Sequence, residues 1–533
     1  MAKTYKEVVY QIYPLSFKDS NHDGIGDING ITSELNYLKD LGVDVIWLSP
    51  VYQSPMDDNG YDISDYYEIN PMFGTKADLL NLLQQAHQLG LKVIMDLVLN
   101  HTSDEHVWFK EALKGEDNPY FDYYIWSKEP SNITSVFSGS AWQYVPLLNS
   151  YYFHLFSVKQ PDLNWQNPKL RQEIYNMINY WLELGFDGFR LDVIDLIGKD
   201  VTHKQLADGP YLDTYLTELY EQCFKGKDVF TVGEMPGISL KRAHEIVSTQ
   251  NALDMAFQFD HIALDEIEGQ GKWALKKLDL NALKQTFNKT QQLFKNSGWA
   301  SLFWSNHDQP RAVSRYGNPD ERYRKDSAKM LFTLLFSMKG TPYIYQGEEF
   351  AMTGIKLPIE QYKDIETKNI YQELKQKGIS EAEIMQSIYA KSRDNSRTPM
   401  QWNETKFAGF STNEPWITVN PNYQTINRDK DTLDPTGVIQ YVKSLLKLRK
   451  EVDLFTTGQF QLLEIEHKNL FIYERTHSTE RIIVICNWTN ETTQNPIDIK
   501  GLTLLLSNAT NHQTLKPYYA GIFYEKGDAH DRH

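Results

Sequence analysis

The chain has 533 residues, and 54 Lys+Arg against 70 Asp+Glu give a formal charge of −16. Hydrophobic residues at 41% and charged residues at 23% suit a folded chain and exclude a disordered one, while the acidic excess opposes binding to a phosphate backbone, so nucleic acid is not an expected partner. No apolar run approaches the ~18–20 residues a membrane helix needs, no apolar stretch follows the first residues as in a secretory signal, and Cys223 and Cys486 are the only cysteines. A membrane is therefore not an expected partner, a reduced cytoplasmic setting is the simplest expectation, and nothing calls for an obligate protein partner.

In chain order, short β-type runs alternate with longer helical patterns. Residues 8–13 read as a strand, 31–41 as a helix, 43–48 as a strand, 76–89 as a helix and 92–98 as a strand. An aromatic, loop-like stretch follows at about 102–167. The alternation then resumes, with a helix at 168–184, a strand at 188–192, a helix at 212–223 and strands at 229–234, 255–259, 301–304 and 343–345. Eight β runs separated by helical patterns predict a parallel sheet closed into a (β/α)8 TIM barrel. Residues about 350–430 read as long and irregular. From residue 453 short strands at 459–464, 470–475, 481–487 and 502–506 predict a small all-β sandwich. The expected organisation is a first barrel part at 1–101, an inserted domain at 102–167, the barrel remainder at 168–452 and a β-sandwich at 453–533.

Several predicted strands end in polar residues where a buried strand favours apolar ones. Asp96 precedes Asn100 and His101; Arg190 and Asp192 stand two apart and so share a side of one strand; Glu234 ends another; Asn306, His307 and Asp308 follow a third. In a barrel these ends converge on one mouth. Converging carboxylates suit glycoside hydrolysis, which needs one ionised carboxylate and one protonated carboxylic acid. Asp192, beside Arg190, is the expected nucleophile; Glu234 is the expected acid and later base; Asp308 would favour the oxocarbenium-like transition state. His101 and His307 would donate to sugar hydroxyls.

Segments 96–101, 188–192, 232–234 and 306–309 resemble the four conserved regions of the α-amylase superfamily, glycoside hydrolase family 13. Segments 9–14, 340–349 and 393–402 are similar to its oligo-1,6-glucosidase and dextran-glucosidase branch. The resemblance implies a (β/α)8 barrel, a domain inserted after the third strand and a C-terminal β-sandwich. It also implies the nucleophile, acid/base and stabiliser roles for Asp192, Glu234 and Asp308, a terminal-glucose subsite lined by Asp58 and Tyr61, and a grip on the non-reducing-end hydroxyls by Asp58 with Arg397. Val193, directly after the nucleophile, marks a preference for α-1,6 linkages in that branch. Glu366 and Lys272 would contact the leaving sugar. The expected activity is a retaining, exo-acting α-glucosidase on small oligosaccharides. Trehalose-6-phosphate hydrolases share nearly every motif, and an α-1,4-active α-glucosidase is a further alternative. Sucrose isomerases are set aside because their Arg/Asp-rich segment is not matched at 262–265. An inactive amylase-like protein is disfavoured by the complete catalytic set.

A separate motif lies at residues 19–27. Asp19, Asn21, Asp23, the Ile25 carbonyl and Asp27 place oxygens at alternate positions around a Gly turn, which resembles the first half of an EF-hand loop. These residues are expected to hold a structural Ca2+, with Mg2+ as a substitute; no organic cofactor is expected.

Overall fold

A computed structural model describes residues 5–249 and 251–526. The ends of the first and last expected domains, residues 1–4 and 527–533, lie outside them. Eight strands close a barrel: β1 (Val9–Ile12), β2 (Val45–Leu48), β3 (Lys92–Val98), β4 (Gly188–Asp192), β5 (Phe230–Gly233), β6 (Met255–Phe257), β7 (Ala300–Leu302) and β8 (Thr341–Tyr345). Neighbouring strands pair in parallel, and β8 closes onto β1 with Val9 opposite Tyr343. All eight β runs read from the sequence are these strands. Each is buried on both faces except at its first residue in β3, which explains runs that are apolar rather than alternating.

Local signals set the helix ends. Lys76–Gln88 begins with a capping box in which Thr75 and Asp78 satisfy each other's backbone N–H groups. Pro168–Leu184 starts with Asn167 as N-cap and Pro at its first position, and it stops at Gly185 in a left-handed conformation. The helix expected at 31–41 is instead two, Ile28–Ser33 and Leu35–Leu41, because Glu34 leaves helical geometry (φ −109°, ψ 8°).

Two long excursions leave the C-terminal ends of the strands. After β3 the chain forms the helix Val107–Ala112 and a three-stranded antiparallel sheet of Trp126–Ser127, Ser150–Phe153 and Trp142–Val145. Ala141, Trp142, Phe153 and Leu155 of this excursion pack on Val193 and Leu196, just past β4. After β8 the stretch expected to be irregular contains two helices, Ile365–Gln376 and Glu381–Lys391. They pack through Tyr371, Ile384 and Ile388. Their polar faces weaken the apolar periodicity that a sequence reading relies on.

The C-terminal part is an antiparallel sheet in the order β9 (Gln459–Leu463), β10 (Leu470–His477), β11 (Glu480–Asn487), β13 (Ala520–Lys526), β12 (Thr503–Ser507). Its alternation splits two cores. Phe471, Tyr473, Val484 and Cys486 join the barrel's core, and Tyr473 Oη donates to the Leu334 carbonyl at 2.7 Å. Leu470, Ile472, Ile483 and Ile485 face the other way, onto Leu515, Tyr519 and Phe523. The second layer of the expected sandwich is, among the described residues, the two-stranded ribbon Thr493–Gln494 with Thr514–Leu515.

Candidate active site

The strand register brings the polar strand ends together. Asp96 on β3 lies beside Arg190 on β4, and Arg190 lies beside Val232 on β5, two residues before Glu234. The Arg190 guanidinium is buried and serves three carboxylates. It reaches Asp96 Oδ1 at 2.5 Å, Asp192 Oδ1 at 2.6 Å and Glu234 Oε2 at 2.7 Å. Asp96 also accepts from Trp47 Nε1 at 2.9 Å and from the Tyr61 hydroxyl at 3.1 Å. Burial pushes Asp96 up to about 6 against the pull of Arg190. Burial also pushes Asp192 well above the carboxylate range; Arg190 opposes it, while Glu234 and Asp96 add to it. One cation thus faces three buried carboxylates.

His307 and Asp308 follow β7. Gln11 Nε2 lies 2.8 Å from His307 Nδ1, and Nε2 of the ring lies 3.1 Å from Asp308 Oδ2. With the Gln11 amide donating to Nδ1, the ring proton sits on Nε2, which makes no hydrogen bond among the described residues. Burial holds His307 down at about 3, so the ring is neutral. The Tyr61 ring stacks on it, with centroids 5.2 Å apart and planes 10° apart. Burial would raise Asp308, but the guanidinium groups of Arg393, Arg397 and Arg190 oppose it, and this carboxyl lies well below its ordinary range.

The two residues expected to grip the terminal sugar have different protein partners. Asp58 Oδ1 pairs with Arg393 Nη2 at 2.8 Å, and Arg397 Nη2 binds Asp308 Oδ1 at 2.8 Å. Arg397 also donates from Nε to the His307 carbonyl at 2.8 Å. Arg393 and Arg397 stand one helical turn apart at the short helix Asp394–Arg397, so the sequence offers both to the same side. Arg393 further reaches Asp364 at 2.6 Å, Asp308 at 3.4 Å and Glu366 at 3.5 Å. Lys272 pairs with Glu366 at 2.6 Å. Lys272 and Glu366 thus join the Arg393 network rather than lying as separate exposed charges.

The inserted domain contributes residues the sequence reading did not single out. Gln160 Nε2 donates to Asp58 Oδ2 at 3.1 Å and lies 3.2 Å from His101 Nε2. Phe137 covers the Arg393 guanidinium at 5.0 Å, and Phe156 packs on the His101 ring at 5.3 Å. Burial lowers His101 to about 4. Arg393, Asp364 and Gln160 carry polar side chains that suit a site, but only the fold shows that they meet. Val193 is buried with a left-handed backbone (φ 35°), and its N–H donates to Glu234 Oε2 at 3.1 Å.

The 19–27 loop is built from backbone hydrogen bonds. Asp19 accepts from the N–H groups of Asn21, His22 and Gly24; Asn21 accepts from Asp23; Asp23 accepts from Ile25; Asp27 accepts from Ser20 and Gly30. Among the described residues, no three His, Cys, Asp or Glu side chains form a ready metal-binding group, and Asp19, Asp23 and Asp27 make no ion pair. The donor set is all oxygen and carries three carboxylates without a cation, which fits Ca2+ in chemistry.

The profile of the alpha-amylase catalytic domain matches residues 11–458. A relative named oligo-1,6-glucosidase, from Halalkalibacterium halodurans, is 49% identical over 98% of this chain and 99% of its own. A relative named glucan 1,6-alpha-glucosidase, from Streptococcus pneumoniae serotype 4, is 48% identical over 96% of each chain. Among solved structures, trehalose-6-phosphate hydrolase from Bacillus licheniformis superposes with a TM-score of 0.93 at 46% identity, covering 97% of this chain and 99% of that one. With the closed barrel, the polar strand ends gathered on Arg190 and these matches, the chain belongs to the alpha-amylase family.

Proposed function

We propose that the protein is a retaining, exo-acting α-glucosidase that releases glucose from the non-reducing end of α-1,6-linked oligosaccharides. The observation that carries the reaction type is Arg190, which holds Asp192 on one terminal nitrogen and Glu234 on the other. Two carboxyl groups on one guanidinium suit the short separation of a retaining enzyme, about 5–5.5 Å, rather than the about 6.5–9.5 Å that leaves room for an inverting enzyme's water. Asp192 attacks the anomeric carbon while Glu234 gives its proton to the glycosidic oxygen. Water then cleaves the β-glucosyl ester, with Glu234 taking a proton from it. Asp308, kept ionised by its guanidinium neighbours, favours the positive charge that develops on the sugar ring.

The Asp58–Arg393 pair, with Asp364 and Gln160 beside it, supports an exo mode: it presents several donors and acceptors to the hydroxyls of a terminal glucose. Val193 and the names of the relatives support the α-1,6 preference. Lys272 is already paired with Glu366, and that carboxylate disfavours a phosphate on the leaving sugar. The test is initial-rate hydrolysis of isomaltose, maltose and trehalose 6-phosphate at equal low concentration. Faster glucose release from isomaltose is expected, and Val193→Ala is expected to move the isomaltose-to-maltose ratio by about tenfold towards maltose. A dominant rate on trehalose 6-phosphate overturns the substrate but not the chemistry.

Two further readings belong here. Asp19, Asn21, Asp23, the Ile25 carbonyl and Asp27 hold a structural Ca2+, supported by the oxygen-only donors at alternate positions. A cytoplasmic location is supported by two buried thiols, Cys223 and Cys486, neither in a disulfide. No described helix is long and apolar enough to cross a membrane.

A further inference from the structure

Three consecutive residues leaving β4 hold the chain that leaves β5. Val193 N–H donates to Glu234 Oε2 at 3.1 Å. Ile194 N–H donates to the Glu234 carbonyl at 3.0 Å. Asp195 Oδ2 accepts from Gly237 N–H at 2.8 Å. The close approach depends on glycine: a Cβ at residue 237 would stand 2.9 Å from Asp195 Oδ2 and 2.5 Å from Ala207 Cβ. Asp195 is fully buried, and its Oδ1 has no hydrogen-bond partner among the described residues.

A carboxyl group is a costly way to fill such a position, because burial penalises both its charge and its unpartnered oxygen. An apolar side chain of similar size would pack without that penalty. We propose that Asp195 is a positioning residue for the general acid: by anchoring Gly237 it fixes how the Glu234–Gly237 turn leaves the barrel, and so where Glu234 delivers its proton. The proposal rests on the α-glucosidase reading given above. The ionisable groups around Asp195 are Glu234, at the end of β5, and Asp208, whose N–H donates to the Asp195 carbonyl at 3.1 Å and whose carboxylate is paired with Arg242 at 2.9 Å. Burial raises Asp195 to about 7, with Glu234 and Asp208 adding to it, so the group is easily neutralised without losing its hold on Gly237.

The role separates from simple structural support through the leaving group. The glycosidic oxygen of isomaltose departs well only when Glu234 protonates it. Fluoride departs from α-glucosyl fluoride as an anion, so that substrate needs far less help from the acid. kcat/KM for both reports the first, glycosylating step. Asp195→Ala is expected to lower kcat/KM for isomaltose by about 100-fold, the lower range of general-acid contributions, and to change the value for α-glucosyl fluoride by only a few-fold. Asp195→Asn keeps an oxygen for the Gly237 N–H and is expected to restore most of the isomaltose activity. Gly237→Ala pushes on the same contact from the other side; it is expected to reproduce the selective loss and serves if the Asp195→Ala chain does not fold. Equal losses on both substrates, or no loss on either, overturn the positioning role. Wild-type protein that turns over neither sugar overturns the α-glucosidase reading and the proposal with it, a pattern distinct from unselective variants of an active enzyme.

Discussion

The 19–27 loop and the barrel mouth are both rich in aspartate, yet they satisfy their carboxylates in different ways. In the loop, Asp19, Asp23 and Asp27 accept mainly from backbone N–H groups within a few residues, and among the described residues none meets a cation. At the mouth, Asp96, Asp58, Asp308 and Asp364 meet guanidinium groups delivered by other segments, and Asp192 meets Arg190 of its own strand. Backbone bonds fix the direction of a carboxylate and leave its charge in place. A guanidinium fixes direction and offsets charge together, so removing one partner there leaves a buried charge exposed to its neighbours.

Breaking the mouth should therefore cost most. Asp192→Asn keeps an acceptor for Arg190 and is expected to fold, while kcat falls by about four orders of magnitude or more, the scale of lost nucleophiles; isomaltose turnover with circular dichroism as the folding control checks this. Arg393→Met strips the shared partner from Asp58 and Asp364. A loss of about 10²–10³ in kcat/KM is expected, carried mainly by KM, with a lower unfolding midpoint because breaking a buried pair costs about 3–5 kcal/mol. Arg397→Met, which takes the nearer of two guanidinium groups from Asp308, is expected to act mainly on kcat. Comparing the two variants in one assay tells the gripping arginine from the one that serves the stabilising carboxylate.

Perturbing the loop should change stability and leave chemistry alone. Removing divalent ions with a chelator is expected to lower the thermal midpoint by several degrees, with recovery on adding Ca2+. Asp23→Ala should remove that response while kcat/KM at room temperature holds. Differential scanning fluorimetry with and without Ca2+ measures both.

The smallest effect concerns a buried group that burial, more than charge, holds neutral. His106 is held at about 3 by burial, and its ring accepts from Trp108 N–H at 3.1 Å. Its folded pKa lies below the unfolded value of about 6.5. The unfolded chain thus binds the extra proton, and the stability His106 contributes is present above about 6.5 and is lost as pH falls from there towards 3. His106→Gln is expected to be less stable than the wild type by about 1 kcal/mol at pH 7, and the gap should narrow steadily in denaturation curves taken at lower pH.

What was legible in the sequence follows the range of the interactions. The eight barrel strands were visible because each is a short apolar run bounded by turn signals. The catalytic carboxylates were visible because a polar residue at the end of such a run is conspicuous. Arg393 and Arg397 stand four apart and spacing treats them alike; that Arg393 pairs with Asp58, 335 residues away along the chain, shows only in the fold. Gln160 and Phe137 reach the site only because the inserted domain packs on Val193 and Leu196, a contact with no local trace. The split of the helix at Glu34 has no local mark, because Glu itself is a good helix former and Leu35–Leu41 continues the helical pattern. Strand β13 was missed because its single glycine, Gly521, and its polar end dilute the alternation.

The pairing of β1 with β8 has a consequence for how the chain is made. The first barrel strand emerges early from the ribosome, but the residues it pairs with at 343–345 follow more than 300 residues later. At ordinary synthesis rates that interval is roughly half a minute. During it one edge of Val9–Ile12 has no neighbour, and such an edge recruits other chains. Productive yield should thus be limited by protecting the nascent amino-terminal strand, and slower synthesis should call for more chaperone rather than less.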